Sequence, residues 1–328
     1  HSTAQHSHNG ELSVLKEINL SQCEKFGIGA SRPEDIAVSA EGEVWLSDKG
    51  SACAKVNTDG TLSKMGDTRG APNGINFDLE NRILIANFGG PESECGSLQR
   101  LNLDDGLVEV LCREINGRAL YGSNYPVLDT KGRIYCSHST WGPLDKAFDG
   151  ANDGFIFRYD PDGAVTVLAE GIQFANGIAL DYGEEYLYVC QTTGCNVIRY
   201  KIRQDGTLGQ PLPYGPKLGL SHTEVQDKRP LSSETRSMLG LTDGCGFDCE
   251  GNLWVTLVLA NKIVAITPQG KVKTMLSDPE GHTMINPTNV TWGGPQMKEL
   301  YIGSVTTDYV VKVPSPIAGM PLAHQRSN

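Results

Sequence analysis

The chain has 328 residues, of which 39% are hydrophobic and 20% are charged, and this composition is typical of a globular protein with one large domain or two ordinary ones. No apolar run is long enough to span a bilayer, and the formal net charge of −11 argues against nucleic acid or an anionic membrane as a partner. Thirty-eight glycines and only 7% aromatic residues indicate many tight turns, which favours an all-β protein built from short strands.

The ends of the chain and its cysteines place few constraints on the fold. The opening "HSTAQHSHNG" lacks the apolar stretch of a signal peptide, and we expect residues 1–20 to form an N-terminal extension that is partly disordered. The nine cysteines cannot all pair, and Cys136 and Cys190 lie in predicted strands, where a free thiol packs like a small hydrophobic group. We therefore expect reduced, structural cysteines and a cytoplasmic location, although a mature secreted chain would begin in the same way.

One sequence phrase recurs six times along the chain and predicts the architecture. Each copy has a short apolar strand, a polar turn that usually contains glycine, and a second strand with an aromatic or large aliphatic residue near its centre. Strand-like segments such as "NVIRYKI" and "KIVAITPQGKVKTML" follow some copies, which gives four strands per copy. The six copies are "PEDIAVSAEGEVWLSD" (33–48), "PNGINFDLENRILIAN" (72–87), "SNYPVLDTKGRIYCSH" (123–138), "ANGIALDYGEEYLYVCQ" (175–191), "TDGCGFDCEGNLWVTL" (242–257) and "PTNVTWGGPQMKELYIGS" (287–304).

Six copies of four strands predict an all-β protein, a single six-bladed β-propeller over residues 21–320 with a C-terminal tail at 321–328. The heads of successive copies lie 39, 51, 52, 67 and 45 residues apart. The longest step contains an insertion at about 205–240 that is rich in Pro, Gly and Ser. This insertion is either a surface loop between blades or a lid over one mouth of the central channel, and His222 would then be a lid residue.

The residue at the head of each copy carries a side-chain oxygen in all six cases. Because the innermost strands of a propeller line its axis, these oxygens are expected to converge there, where buried polar groups need a partner. A divalent cation would be such a partner, and carboxylates and amides without His or Cys suit Ca²⁺ best, with Mg²⁺, Mn²⁺ and Zn²⁺ as alternatives. The other interpretation is that the Asn and Asp residues only cap turns. The six heads are Glu34, Asn73, Asn124, Asn176, Asp243 and Thr288.

Several of these phrases resemble those of a known family. The segments "PEDIAV", "SNYPVLDTKGRIY", "LAEGIQFANGIALD" and "TDGCGFDCEGNLWV" are similar to the senescence marker protein/gluconolactonase (regucalcin) family of six-bladed propellers, whose more distant kin are diisopropyl fluorophosphatase and the paraoxonases. The resemblance implies a central metal held by a set of four residues, of which the last is also the general base. The family usually has Asn-Asp where this chain has Asn124–Tyr125, and loss of that sugar-binding aspartate favours a less polar ligand. The implied metal ligands are Glu34, Asn124, Asn176 and Asp243.

The expected reaction is divalent-metal-dependent hydrolysis of a lactone, a cyclic ester. In this hypothesis the cation polarises the carbonyl group, and Asp243 or an activated water delivers the nucleophile. Asn73 is expected to orient the substrate. Four further residues are expected beside the substrate as pocket walls or, for the two histidines, as an alternative base, although each has an alternative structural role: Tyr125, His138, Trp141 and His282.

Two other classes of function stay open. The same propeller could hydrolyse a phosphotriester or carry out a non-hydrolytic reaction on a natural-product intermediate, and "RPEDI" in the first copy resembles strictosidine-synthase-like propellers, some of which lack the metal. The chain could also be a non-enzymatic propeller that binds Ca²⁺ or a small ligand. In each case the expected partner is a small molecule, neither nucleic acid nor membrane, and the oligomeric state stays open.

Overall fold

The repeated sequence folds into six sheets of four antiparallel strands, which confirms the predicted all-β, six-bladed propeller. The structure is a computed structural model that describes residues 15–88, 96–148 and 150–326. The first 14 residues of the predicted extension and the last two residues of the predicted tail lie outside these ranges. Within them, no helix has the length and apolar character needed to cross a membrane.

In blades 1–5 the four strands follow one another in chain order from the axis outward, so that each sequence repeat becomes one blade. A short hairpin, β10 Glu114–Ile115 and β11 Arg118–Ala119, separates blades 2 and 3. Blade 1 consists of β2 Ile36–Val38, β3 Val44–Ser47, β4 Cys53–Val56 and β5 Leu62–Met65; blade 2 of β6 Ala71–Phe77, β7 Ile83–Phe88, β8 Leu98–Leu101 and β9 Val108–Cys112; blade 3 of β12 Ser123–Leu128, β13 Ile134–His138, β14 Gly154–Tyr159 and β15 Val165–Ile172.

The second half of the ring repeats this arrangement with short helices in its loops. The helix α1, Leu144–Phe148, lies between β13 and β14, and α2, Ser233–Arg236, lies in the predicted insertion. Single 3₁₀ turns occupy Leu20–Gln22, Gln226–Lys228, Val258–Ala260, Pro295–Met297 and Ala323–Gln325. Blade 4 consists of β16 Ala175–Leu180, β17 Tyr186–Gln191, β18 Asn196–Lys201 and β19 Leu212–Tyr214; blade 5 of β20 Thr242–Phe247, β21 Leu253–Leu257, β22 Lys262–Ile266 and β23 Val272–Ser277; blade 6 of β24 Pro287–Gly293, β25 Glu299–Ser304 and β26 Val310–Pro314, completed by β1 Glu24–Phe26.

The recurrent aspartate in the repeated phrase forms the turn between the first two strands of a blade. The Oδ1 atom of Asp129 accepts hydrogen bonds from the backbone N–H groups of Lys131 and Arg133, both at 2.9 Å. Asp78 and Asp248 accept the equivalent pairs in blades 2 and 5. A side chain that mimics a backbone turn in this way fixes where one strand ends and the next begins.

The blades pack through the large side chains that the sequence places at the centre of each second strand. All six are buried, and the largest of them, Trp254, is fully buried and meets Trp292 of the next blade edge-on at 5.3 Å between ring centroids. The eight cysteines in the described ranges are free thiols. The six central residues are Trp45, Ile85, Tyr135, Tyr188, Trp254 and Tyr301.

Blade 6 joins the two ends of the described chain. Its outermost strand, β1, pairs antiparallel with β26, so that Lys25 lies opposite Val311. The chain packs on the propeller even before β1, because Ile18 is buried and its N–H donates to the carbonyl of Met275 at 2.6 Å. Ile18, in the predicted N-terminal extension, thus packs on the propeller, and the ring is closed by strands distant in sequence.

Candidate active site

Five of the six repeated polar side chains meet at one end of the propeller axis. Glu34 lies two residues before β2, and the other four lie at the heads of the innermost strands of blades 2–5. Together they line a cavity of about 260 Å³. The sixth head residue, Thr288, instead donates its hydroxyl hydrogen to the carbonyl oxygen of Glu34 at 2.6 Å. The five that line the cavity are Glu34, Asn73, Asn124, Asn176 and Asp243.

A β-bulge lies at the head of each innermost strand in blades 2–5. The pairing between the first and second strands shifts register across the head residue, for example between Thr242 and Cys245 around Asp243. The same shift surrounds the head asparagines of blades 2, 3 and 4. A bulge leaves a residue outside the regular ladder and re-aims its side chain. Here it turns the polar side chains toward the axis, although the strands that carry them are otherwise buried and apolar.

Serine and threonine hydroxyls on the second strands support these bulges. The hydroxyl oxygen of Thr256 accepts a hydrogen bond from the N–H of Gly244 at 2.9 Å. Ser137 does the same in blade 3. Each hydroxyl therefore satisfies a buried N–H group that the irregular pairing would leave without a partner.

Hydrogen bonds fix which atom the amide side chains leave for the cavity. The Nδ2 atom of Asn176 donates to the hydroxyl of Thr192 at 3.0 Å, and that of Asn124 donates to the hydroxyl of Ser139 at 2.8 Å. Asn73 donates its own Nδ2–H to Oδ1 of Asn124 at 2.8 Å, while its Oδ1 atom is buried without a partner. These bonds direct Nδ2 of each amide to a protein acceptor, and they leave Oδ1 of Asn73 free for a ligand; amide oxygens are groups that hard cations prefer.

Two buried carboxylates and one guanidinium set the electrostatics of the site. Nη2 of Arg32 lies 2.8 Å from Oε2 of Glu34. Burial raises the pKa of Glu34, and Arg32 and a hydrogen bond from Asn73 oppose this shift. Burial also raises the pKa of Asp243, and the nearby charge of Glu34 raises it further. The cavity has two carboxylates and only one guanidinium, so that a bound cation would neutralise the remaining carboxylate.

A second polar layer lies on the axis next to the head residues. Oδ1 of Asp35 accepts a hydrogen bond from Nδ2 of Asn289 at 2.6 Å, and its Oδ2 accepts one from the N–H of Ile75 at 2.8 Å. Burial raises the pKa of Asp35 to about 8. The ring of Tyr125 lies against Gly74, where a Cβ atom would come within 2.3 Å of it. This layer closes the axial channel and forms the base of the site.

The sides of the cavity are apolar. They come from α1, from the 3₁₀ turn Val258–Ala260 and from the loops that lead into the innermost strands. The insertion contributes as well, because Val225 and Leu239 are buried beside Leu241 in a small cluster that packs against the wall. The apolar wall residues are Leu144, Phe148, Phe174, Leu241, Val258 and Leu259, together with Phe88 and Val305.

Tyr125 is not part of the lining of this cavity, but it lies in the layer at its base. The pairing of β12 with β13 shifts register around Asn124, and Asn124 lines the cavity whereas its neighbour does not. Tyr125 instead lines a separate apolar cavity of about 60 Å³, whose far side is formed by the C-terminal residues Leu322 and Ala323. Tyr125 also lies next to the five polar residues, around a space of about 10 Å³ on the axis. The argument from Asn124–Tyr125 to a less polar ligand therefore stays a prediction.

The other three predicted pocket residues also lie elsewhere. His138 is fully buried, and its Nε2 accepts hydrogen bonds from the N–H groups of Tyr121 and Gly122, both at 2.9 Å. Burial lowers the pKa of His138 to about 3, with a smaller contribution from Arg118. Trp141 packs beside this imidazole, with ring centroids 4.7 Å apart. His138 and Trp141 therefore have the structural role that the sequence left as their alternative.

His282 lies exposed on a loop before β24 and does not line the cavity. Its position in the sequence, shortly before the sixth polar head, suggested the mouth of the pocket. The head of blade 6, however, is Thr288, which turns to Glu34 instead of the cavity. Blade 6 thus contributes little to the lining, and a residue in the loop that leads into it is out of reach.

Sequence reasoning missed Arg32, the supporting hydroxyls and the apolar wall. Arg32 reaches Glu34 only because its backbone is left-handed, with φ of 50°, which nothing in "SRPED" indicates. The hydroxyls had a signal, since Ser47, Thr192 and Thr256 all lie near the ends of the second strands in the repeated phrase. The wall residues are scattered over several loops and have no common pattern.

No three side chains of His, Cys, Asp and Glu lie close enough to hold a metal ion within the described ranges. The predicted ligand set has only two carboxylates, and its other members are amides, so this observation does not bear on it.

Comparison with known proteins identifies relatives of the chain. A family model described as SMP-30/Gluconolactonase/LRE-like region matches residues 93–306. The chain is 25% identical over 177 residues to 6-deoxy-6-sulfogluconolactonase of Pseudomonas putida, which covers 54% of this chain and 52% of that protein. It is also 25% identical over 299 residues to Protein STRICTOSIDINE SYNTHASE-LIKE 13 of Arabidopsis thaliana, which covers 76% of this chain and 62% of that protein. The matched regions thus span between about half and three fifths of these curated relatives.

A solved structure shares the fold. The calcium-binding protein regucalcin of Agrobacterium tumefaciens str. C58 superposes with a TM-score of 0.69 over 94% of this chain and 98% of that chain, at 14% sequence identity. At this identity the likeness shows the common propeller architecture and nothing finer.

Proposed function

The chain belongs to the SMP-30/gluconolactonase/LRE-like family, and on that premise we propose that it hydrolyses a lactone in the cavity on its axis. The observation that carries the proposal is the convergence of five oxygen-bearing side chains from five blades, two of them carboxylates, in one cavity of about 260 Å³. The relative from Pseudomonas putida, a 6-deoxy-6-sulfogluconolactonase by name, supports the reaction class.

We propose that Glu34, Asn124, Asn176 and Asp243 hold a divalent cation, most suitably Ca²⁺. The residues fit such an ion because two are carboxylates, and Nδ2 of each of the two amides donates to a neighbouring hydroxyl instead of facing the ion. Burial raises the pKa of both carboxylates, and a cation between them would lower both pKa values and restore the charged forms. The carboxylate and amide oxygens of these residues are ligands that Ca²⁺ prefers, which supports the choice of ion.

When bound, the cation would polarise the lactone carbonyl and lower the pKa of water. Side chains of the protein would transfer the protons and orient the water and the substrate. Asp243 would take a proton from the water that attacks the carbonyl carbon, and the ring oxygen would leave with a proton, which yields a hydroxy acid. With the cation bound, Asp243 would be in its charged form, which is the form that can accept this proton. The unpartnered Oδ1 of Asn73 would accept a hydrogen bond from the water or the substrate, and the apolar walls would exclude bulk solvent.

Replacement of Asp243 by asparagine tests this role directly. Asp243→Asn should lower kcat for a hydrolysed lactone by at least 100-fold, the usual effect of losing a general base, while the melting temperature stays within a few degrees. Asp205→Asn, in an exposed turn where Asp205 accepts bonds from Thr207, is the matched control and should keep full activity. Retained activity in Asp243→Asn would remove this residue from the mechanism.

We also propose that the propeller forms one domain over about residues 21–320 and that its insertion at 205–240 is a lid. His222 in this segment contacts Phe148 edge-on, with ring centroids 5.7 Å apart, and Phe148 lines the cavity. The insertion is therefore in a position to respond to a ligand. Hydrogen exchange of residues 215–241 should slow when a lactone-sized ligand binds, and unchanged exchange would assign the segment to the static rim.

A second candidate function is a metal-independent reaction on a natural-product intermediate. The specific observation that favours it is the ion pair of Arg32 with Glu34, because a guanidinium already neutralises one of the two carboxylates. The match to the strictosidine synthase-like relative supports this alternative. Turnover that is insensitive to chelation would select it over the metal-dependent reaction.

A further inference from the structure

We call the five polar residues of the cavity, Glu34, Asn73, Asn124, Asn176 and Asp243, its floor. The apolar walls of the cavity give information about the substrate that this floor does not. Resting on the proposed lactone hydrolysis, we propose that the substrate is a lactone with an apolar alkyl or aryl substituent, and that a polyhydroxylated sugar lactone is disfavoured. The substituent would lie against Phe148, Phe174, Leu241, Val258 and Leu259, and the ester group would lie at the polar residues of the floor.

The separation of polar and apolar surface in the cavity supports this orientation. The polar floor comes from the heads of the innermost strands, whereas the apolar wall comes from α1, the 3₁₀ turn Val258–Ala260 and the end of the insertion. The rings of Phe148 and Phe174 pack together with centroids 5.5 Å apart, and Val258 and Leu259 pack against the buried cluster around Leu239. The wall is therefore a packed surface that a flexible apolar group can bury against.

The apolar side chains of the wall offer no hydrogen-bond partner to the hydroxyls of a sugar. At the floor, the Nδ2 atoms of Asn73, Asn124 and Asn176 each donate a hydrogen bond within the protein. Arg32 is engaged with Glu34 and with the carbonyl of Pro72. A hydroxyl that is buried against the apolar wall without a partner would cost roughly a fivefold to 100-fold loss of binding. A sugar lactone has several such hydroxyls, whereas an alkyl-substituted lactone has none.

A ring-matched series of substrates tests the inference. We would measure kcat/KM for unsubstituted δ-valerolactone, for δ-lactones with methyl, propyl and pentyl substituents, and for D-glucono-δ-lactone. Each added methylene that the wall buries should raise kcat/KM about fourfold until the cavity is filled. D-glucono-δ-lactone should be at least tenfold poorer than the propyl-substituted lactone. A flat or falling series with the sugar lactone as the best substrate would overturn the inference and leave the lactonase function intact.

A wall variant links the effect to this surface. Phe148→Ala should lower kcat/KM for the pentyl-substituted lactone roughly tenfold and change that for δ-valerolactone less than twofold, because only the former has a substituent to bury. Leu212→Ala removes an exposed leucine on the edge strand β19 and is the matched control, expected to match the wild type on both substrates. An equal loss on both lactones in Phe148→Ala would contradict a contact with the substituent.

A non-cleavable series separates the inference from the proposed reaction. The 2-alkylcyclohexanones keep the ring carbonyl and the alkyl chain but have no ester bond, and their affinity can be measured by calorimetry even if no lactone is hydrolysed. Affinity that rises with chain length supports the apolar-substituent site, with or without lactonase activity. Affinity that is independent of chain length counts against it, and if hydrolysis is also absent, both the inference and the proposed function fail.

Discussion

Arg32 is the residue whose role in the cavity most needs an explanation. Its backbone conformation is left-handed, and its guanidinium forms an ion pair with Glu34, two residues later in the chain. A guanidinium beside a carboxylate lowers the affinity of that carboxylate for a second cation, because the two positive charges repel each other. Arg32 therefore acts against metal binding at Glu34 while it neutralises a buried charge.

Substitution of Arg32 by asparagine should strengthen Ca²⁺ binding roughly tenfold, since the repulsion is removed and asparagine tolerates the left-handed backbone. Calorimetric titration of Ca²⁺ measures this. The control is Arg69→Asn, because Arg69 has a similar φ of 57° but is exposed away from the cavity. Unchanged or weaker Ca²⁺ binding in Arg32→Asn, with Arg69→Asn like the wild type, would contradict competition between the guanidinium and the ion.

His138 gives a prediction on the pH dependence of stability. Its pKa falls from the ordinary 6.5 to about 3 on folding, because burial disfavours the charged imidazolium and the nearby charge of Arg118 disfavours it further. The unfolded chain therefore binds a proton below about pH 6.5 that the folded protein does not. The free energy of unfolding should fall as the pH is lowered from 6.5 toward 3, with this residue contributing a slope of about 1.4 kcal/mol per pH unit.

Denaturant titrations of His138→Gln and of the wild type between pH 6 and 4 isolate that slope. The variant is expected to be less stable at pH 7 but to lose less stability on acidification, which is a difference in slope and not in level. His282→Gln, at an exposed position, should keep the wild-type slope. Parallel curves for His138→Gln and the wild type would show that His138 is not the group responsible.

At the scale of elements, the bulges at the heads of the innermost strands in blades 2–5 bring polar side chains into the site, whereas Glu34 of blade 1 reaches it without a register shift. A regular strand would alternate its side chains and return the polar head to the ladder. The bulge interrupts that alternation, and the hydroxyl on the second strand makes the interruption tolerable by accepting the N–H group that loses its ladder partner.

Thr256→Val removes one such hydroxyl at nearly constant volume. The N–H of Gly244 then has no side-chain acceptor, and the free energy of unfolding should fall by about 1–3 kcal/mol. Thr166→Val, at an exposed position of β15, is the same substitution without a buried partner and should change stability by less than about 0.5 kcal/mol. Equal stability of the two variants would mean that the bulge does not depend on this hydrogen bond. Urea unfolding measures the free energy of unfolding of the two variants.

At the scale of the whole molecule, the sequence predicts what the repeat determines and fails where long-range geometry decides. The six blades and the convergence of Glu34, Asn73, Asn124, Asn176 and Asp243 follow from a periodic pattern, because symmetry brings equivalent positions to the axis. The family resemblance is likewise confirmed by the match over residues 93–306.

The positions of the misplaced residues depend on features of the three-dimensional structure that join distant parts of the chain. Whether a side chain next to a bulge faces the cavity depends on a register shift that the sequence does not reveal, as the opposite directions of Asn124 and Tyr125 show. The depth of His138 depends on packing between neighbouring loops, and the closure of blade 6 by β1 joins segments almost 290 residues apart. No local pattern contains that information.

The most direct test of the account is a pH-indicator assay of lactone hydrolysis, with sugar and alkyl-substituted lactones, on untreated protein, on chelated protein and after addition of Ca²⁺, Mg²⁺, Mn²⁺ or Zn²⁺. The account predicts hydrolysis that disappears on chelation, returns with Ca²⁺ and is absent in Asp243→Asn. Absence of hydrolysis with every ion, or hydrolysis that chelation does not affect, would contradict a metal-dependent lactonase built from the five polar residues on the axis.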